Sequence, residues 1–166
     1  MMLALVTVTA AIAGAASHKW LRARQKARAK LPELRWLSGE VAVVRLPPGT
    51  DPAMFGIGPD TLRSEPFASV THTAEETSVV LSAEHVPAGN SETVSVERGW
   101  ICLKVQGPLD FSLLGILSLL SSTLAAAGVS IFAISTYDTD YILVKQESRA
   151  VATNALESKG YKVVDT

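Results

Sequence analysis

The chain has 166 residues, enough for one ordinary domain or two very small ones. With 48% apolar and 19% charged residues it can fill a core, which excludes wholesale disorder. Its single cysteine, Cys102, rules out an internal disulfide and a cysteine-based zinc site, and His18, His72 and His85 lack metal-ligand spacing.

The net charge of −1 hides an asymmetry. Residues 1–32 carry six Lys/Arg and no acid, whereas the remainder carries nine basic against sixteen acidic residues, a net −7. An acidic body argues against nucleic-acid binding, which needs a basic surface.

Residues 3–16 are uncharged and mostly apolar, and a basic stretch from His18 to Lys30 follows. A secretory signal has its charge before the apolar run, and a membrane span needs about 20 apolar residues. A folding-neutral tail, a presequence and an anchor with its basic flank in the cytoplasm all remain open. Residues 1–30 are therefore set apart from the fold. The expected location is cytoplasmic, with membrane contact through residues 3–16 as the variant.

In chain order, residues 40–46 read as a strand stopped by Pro47-Pro48-Gly49. Residues 50–66 have room for a short helix at most. Residues 67–73 and 77–82 form a hairpin pattern around Ala74-Glu75-Glu76, and 84–98 read as a linker with one short strand. Residues 100–106 read as a strand ended by Gly107-Pro108. A helix capped by Asp110 or Ser112 should run to about Ala127, with Gly128 just beyond its end. On this helix Leu113, Ile116 and Leu120 are expected to form an exposed apolar side. Strands at 129–135 and 140–145 should flank the turn at Tyr137-Asp138-Thr139, a second helix should begin at Ser148 and end near Gly160, and 161–164 should close the unit.

That order is β-α-β-β-α-β, a ferredoxin-like split βαβ unit. The stretch 69–81 resembles 133–144 in pattern, strand then acidic turn then strand, so the first half reads as a worn copy. The uncharged run 111–137 imitates a membrane span, but its serines and its β-branched end favour a helix followed by a buried strand.

Two segments carry candidate chemistry. The loop Gly107-Pro108-Leu109-Asp110-Phe111-Ser112-Leu113-Leu114-Gly115 leads a strand into a helix N-terminus, where free N–H groups and the dipole favour a carboxylate. Gly115, read as lying inside the helix, costs about 1 kcal/mol there relative to Ala and invites a close approach. The turn Ser135-Thr136-Tyr137-Asp138-Thr139-Asp140-Tyr141 offers two carboxylates to an ammonium group, or simply caps its own backbone. No nucleophile elbow, phosphate loop or calcium loop is present, so no catalytic residue, metal or cofactor is assigned.

Residues 99–120 and 124–144, above all Ile134-Ser-Thr-Tyr-Asp-Thr-Asp-Tyr-Ile-Leu-Val144, resemble the ACT-domain proteins related to the regulatory part of aspartate kinase. More narrowly they are similar to stand-alone tandem ACT proteins, kin of the animal CASTOR arginine sensors. The resemblance implies an α+β fold of two ferredoxin-like βαββαβ units paired side by side: a degenerate first unit over 31–98 and a second over 99–166. It implies a non-catalytic regulatory module that binds a free amino acid where units meet. The ligand carboxylate would lie on Asp110, Phe111, Ser112 and Leu113, its ammonium on Thr136, Tyr137, Asp138, Thr139 and Asp140, with Gly115 allowing close approach. Partners would be the amino acid, a second copy or a regulated protein. The competing reading is an ACT module that serves only protein interaction.

Overall fold

In the computed structural model, which describes residues 31–86, 93–108 and 115–166, eight strands join in one sheet. They are β1 (Leu34–Trp36), β2 (Val41–Leu46), β3 (Ser69–His72), β4 (Thr77–Ser82), β5 (Ser95–Val105), β6 (Ile131–Ser135), β7 (Asp140–Lys145) and β8 (Val163–Asp165). The helices are α1 (Pro59–Ser64), α2 (Ile116–Ala126) and α3 (Arg149–Ser158), with short 3-10 turns at Pro52–Phe55, Ala83–His85 and Gln146–Ser148. The described fold is thus mixed α+β, as the element pattern implies, and residues 33–166 form one compact unit.

The sheet runs β3-β4-β2-β5-β1-β8, and β7 then β6 extend from the other edge of β5. β5 organises this arrangement. Its first half pairs with β2 and its second half with β1 on the same edge, while Trp100 to Lys104 pair with β7. The expected linker over 84–98 therefore ends in sheet, and the expected boundary at residue 98 falls inside β5. Between Val41↔Trp100 and Val43↔Glu97 the register shifts. Gly99 occupies that bulge at φ +77°, a left-handed conformation that favours glycine. Its N–H, displaced from the ladder, donates to Glu40 Oε1 at 2.8 Å.

A βαββαβ unit would set its last strand beside its first. Here β1 intervenes, antiparallel to β5 (Leu34↔Val105) and parallel to β8 (Leu34↔Val163). The sequence reading had no strand at this place. Three residues with an arginine in the middle give too short an alternation to register as a strand.

Alternation along the strands sorts the core into layers. Ala42, Val44 and Leu46 of β2 and Val79 and Leu81 of β4 pack with Ile57 and Val86, and Phe55 and Leu62 close that side. The opposite faces supply a second cluster in which Val41, Val80 and Phe67 meet Cys102 and Leu143. Phe67 stacks on Tyr141 of β7 with ring centroids 4.3 Å apart. Residues of β2 and β4 thus share an apolar layer with residues of β5 and β7. On the other face of β1, β5 and β7, the buried Trp36, Leu103 and Ile142 lie on the side of α3, whose Thr153 Oγ1 accepts from Trp36 Nε1 at 3.1 Å.

α2 corrects two details. Leu120 is fully buried together with Leu124, so it belongs to the core rather than to an exposed apolar side; Ile116 is half-buried and Leu113 lies outside the described residues. Gly115 is the residue before the helix, at φ +83°, not an interior position. Among the described residues a Cβ there would meet nothing within 4 Å, and the positive φ is itself a reason for glycine. Gly115→Ala is expected to cost about 1–2 kcal/mol of stability through left-handed strain alone, read as a lower urea midpoint.

Candidate functional site

The β6–β7 turn is built by its own side chains. Thr136 N–H and Thr136 Oγ1 both donate to Thr139 O, at 2.8 and 3.0 Å. Ser135 Oγ donates to Asp140 Oδ1 at 2.6 Å, closing the last pair of the hairpin. Thr139 is buried and its hydroxyl donates to the carbonyl of Val105. That bond ties the turn to the end of β5, two residues before Gly107, where the candidate loop begins. Tyr137 (80% exposed) and Asp138 are exposed at the tip.

The ten candidate residues thus divide into three groups. Asp110, Phe111, Ser112 and Leu113 lie outside the described residues. Thr136, Thr139 and Asp140 hold the turn together, and Tyr137 and Asp138 face solvent. Gly115 supplies a backbone angle at the start of α2. The bond from Thr139 to Val105 brings the turn to the strand end from which the loop departs. Asp138 is exposed, and among the described residues no hydrogen bond engages its carboxylate, whereas Asp140 accepts from Ser135.

Cys102 sits mid-strand and is 1% exposed. Burial pushes its thiol up to about 12, with the Lys104 charge pulling weakly the other way. At neutral pH it is a protonated, packed side chain rather than a thiolate nucleophile. Among the described residues no group of three His, Cys, Asp or Glu side chains is placed to hold a metal, and no helix is long and apolar enough to cross a membrane. Within the uncharged run, the described residues show α2 followed by β6.

Sequence reasoning missed two polar constellations. Glu65, whose side chain is only 2% exposed, pairs with His85 Nδ1 at 2.6 Å and so joins the end of α1 to the 3-10 turn after β4. Nothing in the spacing of these residues signals a contact across 20 positions. The second is a cleft around Trp36 and Arg149, where three elements converge that are adjacent only in the fold. A further open groove of about 650 Å³ runs between α2 and β6, lined by Ser118, Ser122, Ala125 and Ile131.

The fold has relatives among solved structures. A protein from Agobacterium tumefaciens is 29% identical, with a TM-score of 0.69 over 83% of this chain and 96% of its own. A Vibrio cholerae protein of unknown function, described as a possible transport protein, is 17% identical, with a TM-score of 0.57 over 80% of this chain and 92% of its own. The regulatory subunit of aspartate kinase from Thermus thermophilus shares 6% identity but a TM-score of 0.54, over 78% of this chain and 99% of its own. No curated protein gives a significant match. Residues 95–158, from the first residue of β5 to the last of α3, match the family model of the ACT domain.

Proposed function

We propose that this protein is a non-catalytic regulatory module that binds a free amino acid between the 107–115 loop and the β6–β7 turn. Two units form it: a degenerate one of β2, α1, β3, β4 and the first half of β5, and a βαββαβ unit from the rest of β5 through β8. Support for the pair comes from the strand order β3-β4-β2-β5, which repeats the ferredoxin-like order that β6-β7-β5 begins again. The ACT match over 95–158 and the fold shared with aspartate kinase regulatory subunits support the regulatory class. The observation that carries the site is the hydrogen bond from Thr139 to Val105, which sets the turn beside the start of the loop. A carboxylate on the loop and an ammonium on Asp138 would bridge the two segments. Ligand would then favour one arrangement of the units over another, and a regulated protein or a second copy would read the difference. The setting for this reading is the cytoplasm, with residues 3–16 touching a membrane if the tail acts as an anchor.

The test is a thermal-shift screen of the full chain against the twenty amino acids. Binding to the native state alone adds about 2.7 kcal/mol at 100 times Kd, a shift of several degrees. Asp138→Asn is the informative variant, because Asp140 and Thr139 support the turn and their loss would unfold it locally. A selective shift in the wild type that is reduced in Asp138→Asn, with the unliganded Tm unchanged, is the expected result. A shift undiminished in Asp138→Asn would refute Asp138 as the ammonium acceptor.

One observation favours the interaction reading: Thr136, Thr139 and Asp140 already spend their hydrogen bonds inside the turn. An interaction module would associate without any amino acid, so dimerisation by light scattering in ligand-free buffer would argue for it.

A further inference from the structure

Outside the β6–β7 turn, side chains from β1, β8 and α3 converge on one cleft. β1 pairs parallel with β8, and β1 and β7 are both antiparallel to β5, so these three strands run in one direction. Their C-terminal ends gather around a cavity of about 630 Å³, inside the range of about 300–1,000 Å³ usual for small-molecule sites. Trp36 ends β1 and Asp165 ends β8, while Arg149 begins α3 just beyond β7.

Trp36 makes a fixed apolar wall. It is 3% exposed, and its Nε1 is held by Thr153. The Arg149 guanidinium lies over the indole, 5.4 Å from the ring centroid, and pairs with the Asp165 carboxylate. Both partners are open to water, with side chains 46% and 74% exposed. Glu40 stands elsewhere on the lining, one of its oxygens engaged by Gly99 N–H, and the Gln146 amide lines the cavity too. A neighbouring cavity of about 490 Å³ shares Trp36, Gln146, Arg149 and Asp165, so the ion pair borders two open spaces.

Asp165 occupies the place on Arg149 that a ligand carboxylate would take. The planar guanidinium fork suits a carboxylate, and an exposed ion pair is weak enough to be exchanged. Glu40 and the released Asp165 would disfavour a dianion and favour a ligand that also presents an N–H or O–H donor. We propose that this cleft binds a small carboxylate bearing such a donor, of the free amino acid or 2-hydroxy acid class, with Asp165 as its built-in competitor. The cleft shares no residue with the turn site, so either assignment can fail without the other.

The experiment measures Tm and Kd for the full chain with the twenty amino acids, lactate and inorganic phosphate at constant ionic strength. It compares wild type with Asp165→Asn, Arg149→Gln and Asp138→Asn. All three positions are exposed or partly exposed, and circular dichroism checks that each variant folds. A carboxylate probe should bind wild type, bind Asp165→Asn up to about fivefold more tightly as the competing pair is removed, and lose at least tenfold in Arg149→Gln. Asp138→Asn should leave the Arg149-dependent binding untouched. The proposal is overturned if no carboxylate probe binds, if Asp165→Asn binds no more tightly than wild type, or if Arg149→Gln binds as well as wild type. Phosphate binding as strongly as the carboxylates would also overturn it, as would loss of the Arg149-dependent binding in Asp138→Asn.

Discussion

Leu143→Ala should lower the unfolding free energy by about 2–5 kcal/mol, the range for truncating a fully buried leucine. Leu143 is 0% exposed and stands opposite Cys102 on β5 and Phe132 on β6. It reaches the apolar layer that Val41, Val80 and Phe67 enter from the other half of the sheet. The site lies in a cluster drawn from β2, β4, β5 and β7 with Phe67, which places the cost toward the upper end. Small domains are stable by only about 5–15 kcal/mol, so the urea midpoint should fall by a large fraction while the m-value stays constant. Val151→Ala, at a 48% exposed helix position, should change stability by no more than about 0.5 kcal/mol. A Leu143→Ala cost as small as that of Val151→Ala would mean that the two halves of the sheet do not share a packed layer.

That shared layer also explains what the sequence could and could not disclose. β7 was legible to the residue, because the apolar run Tyr141-Ile-Leu-Val144, whose last three residues are buried, follows directly after a Thr-Tyr-Asp-Thr turn. The hairpin of β3 and β4 was legible as two β-branched runs on either side of an acidic turn. β1 was not, since Leu34-Arg35-Trp36 becomes a strand only through two partners more than 60 residues away. The first half of β5 hid similarly: Ser95, Glu97 and Arg98 are polar and exposed, and pairing with β2 rather than burial makes them strand. Gly115 showed that a glycine was needed but not why, because an interior helical glycine and a left-handed one before the helix look alike in sequence. The turn was found by its chemistry, since carboxylates and hydroxyls stand out in an apolar half. Which of them serve the turn and which face outward depends on hydrogen bonds to Thr139 O and Val105 O that no local pattern encodes. The Trp36 cleft left no sequence signal, its walls being drawn from residues 36–40, 146–149 and 165.

Cys102 gives the second large effect, and its sign follows from burial. The folded thiol is pushed up to about 12 from an ordinary 9.0 because a thiolate in the apolar layer would lose its hydration. A group whose folded pKa lies above its unfolded value binds the proton more tightly in the native state. Its contribution is complete below the ordinary thiol pKa and is lost as pH rises from about 9 toward about 12. That rise corresponds to about 4 kcal/mol between those limits. Tyr161, also raised by burial, adds a loss that starts near the ordinary phenol pKa of about 10. Wild type should therefore lose stability in two overlapping stages above pH 9. Cys102→Ala should begin from a lower value at pH 7, because a small cavity replaces the sulfur. It should nevertheless hold that value up to about pH 10, where Tyr161 begins to titrate. Urea midpoints for both proteins from pH 7 to pH 11 give the comparison, and parallel curves would show that Cys102 is not buried in the native protein. A thiol reagent at pH 8 supplies a second reading: modification of the native protein should proceed only as fast as the apolar layer opens, and immediate reaction would contradict the buried position on β5.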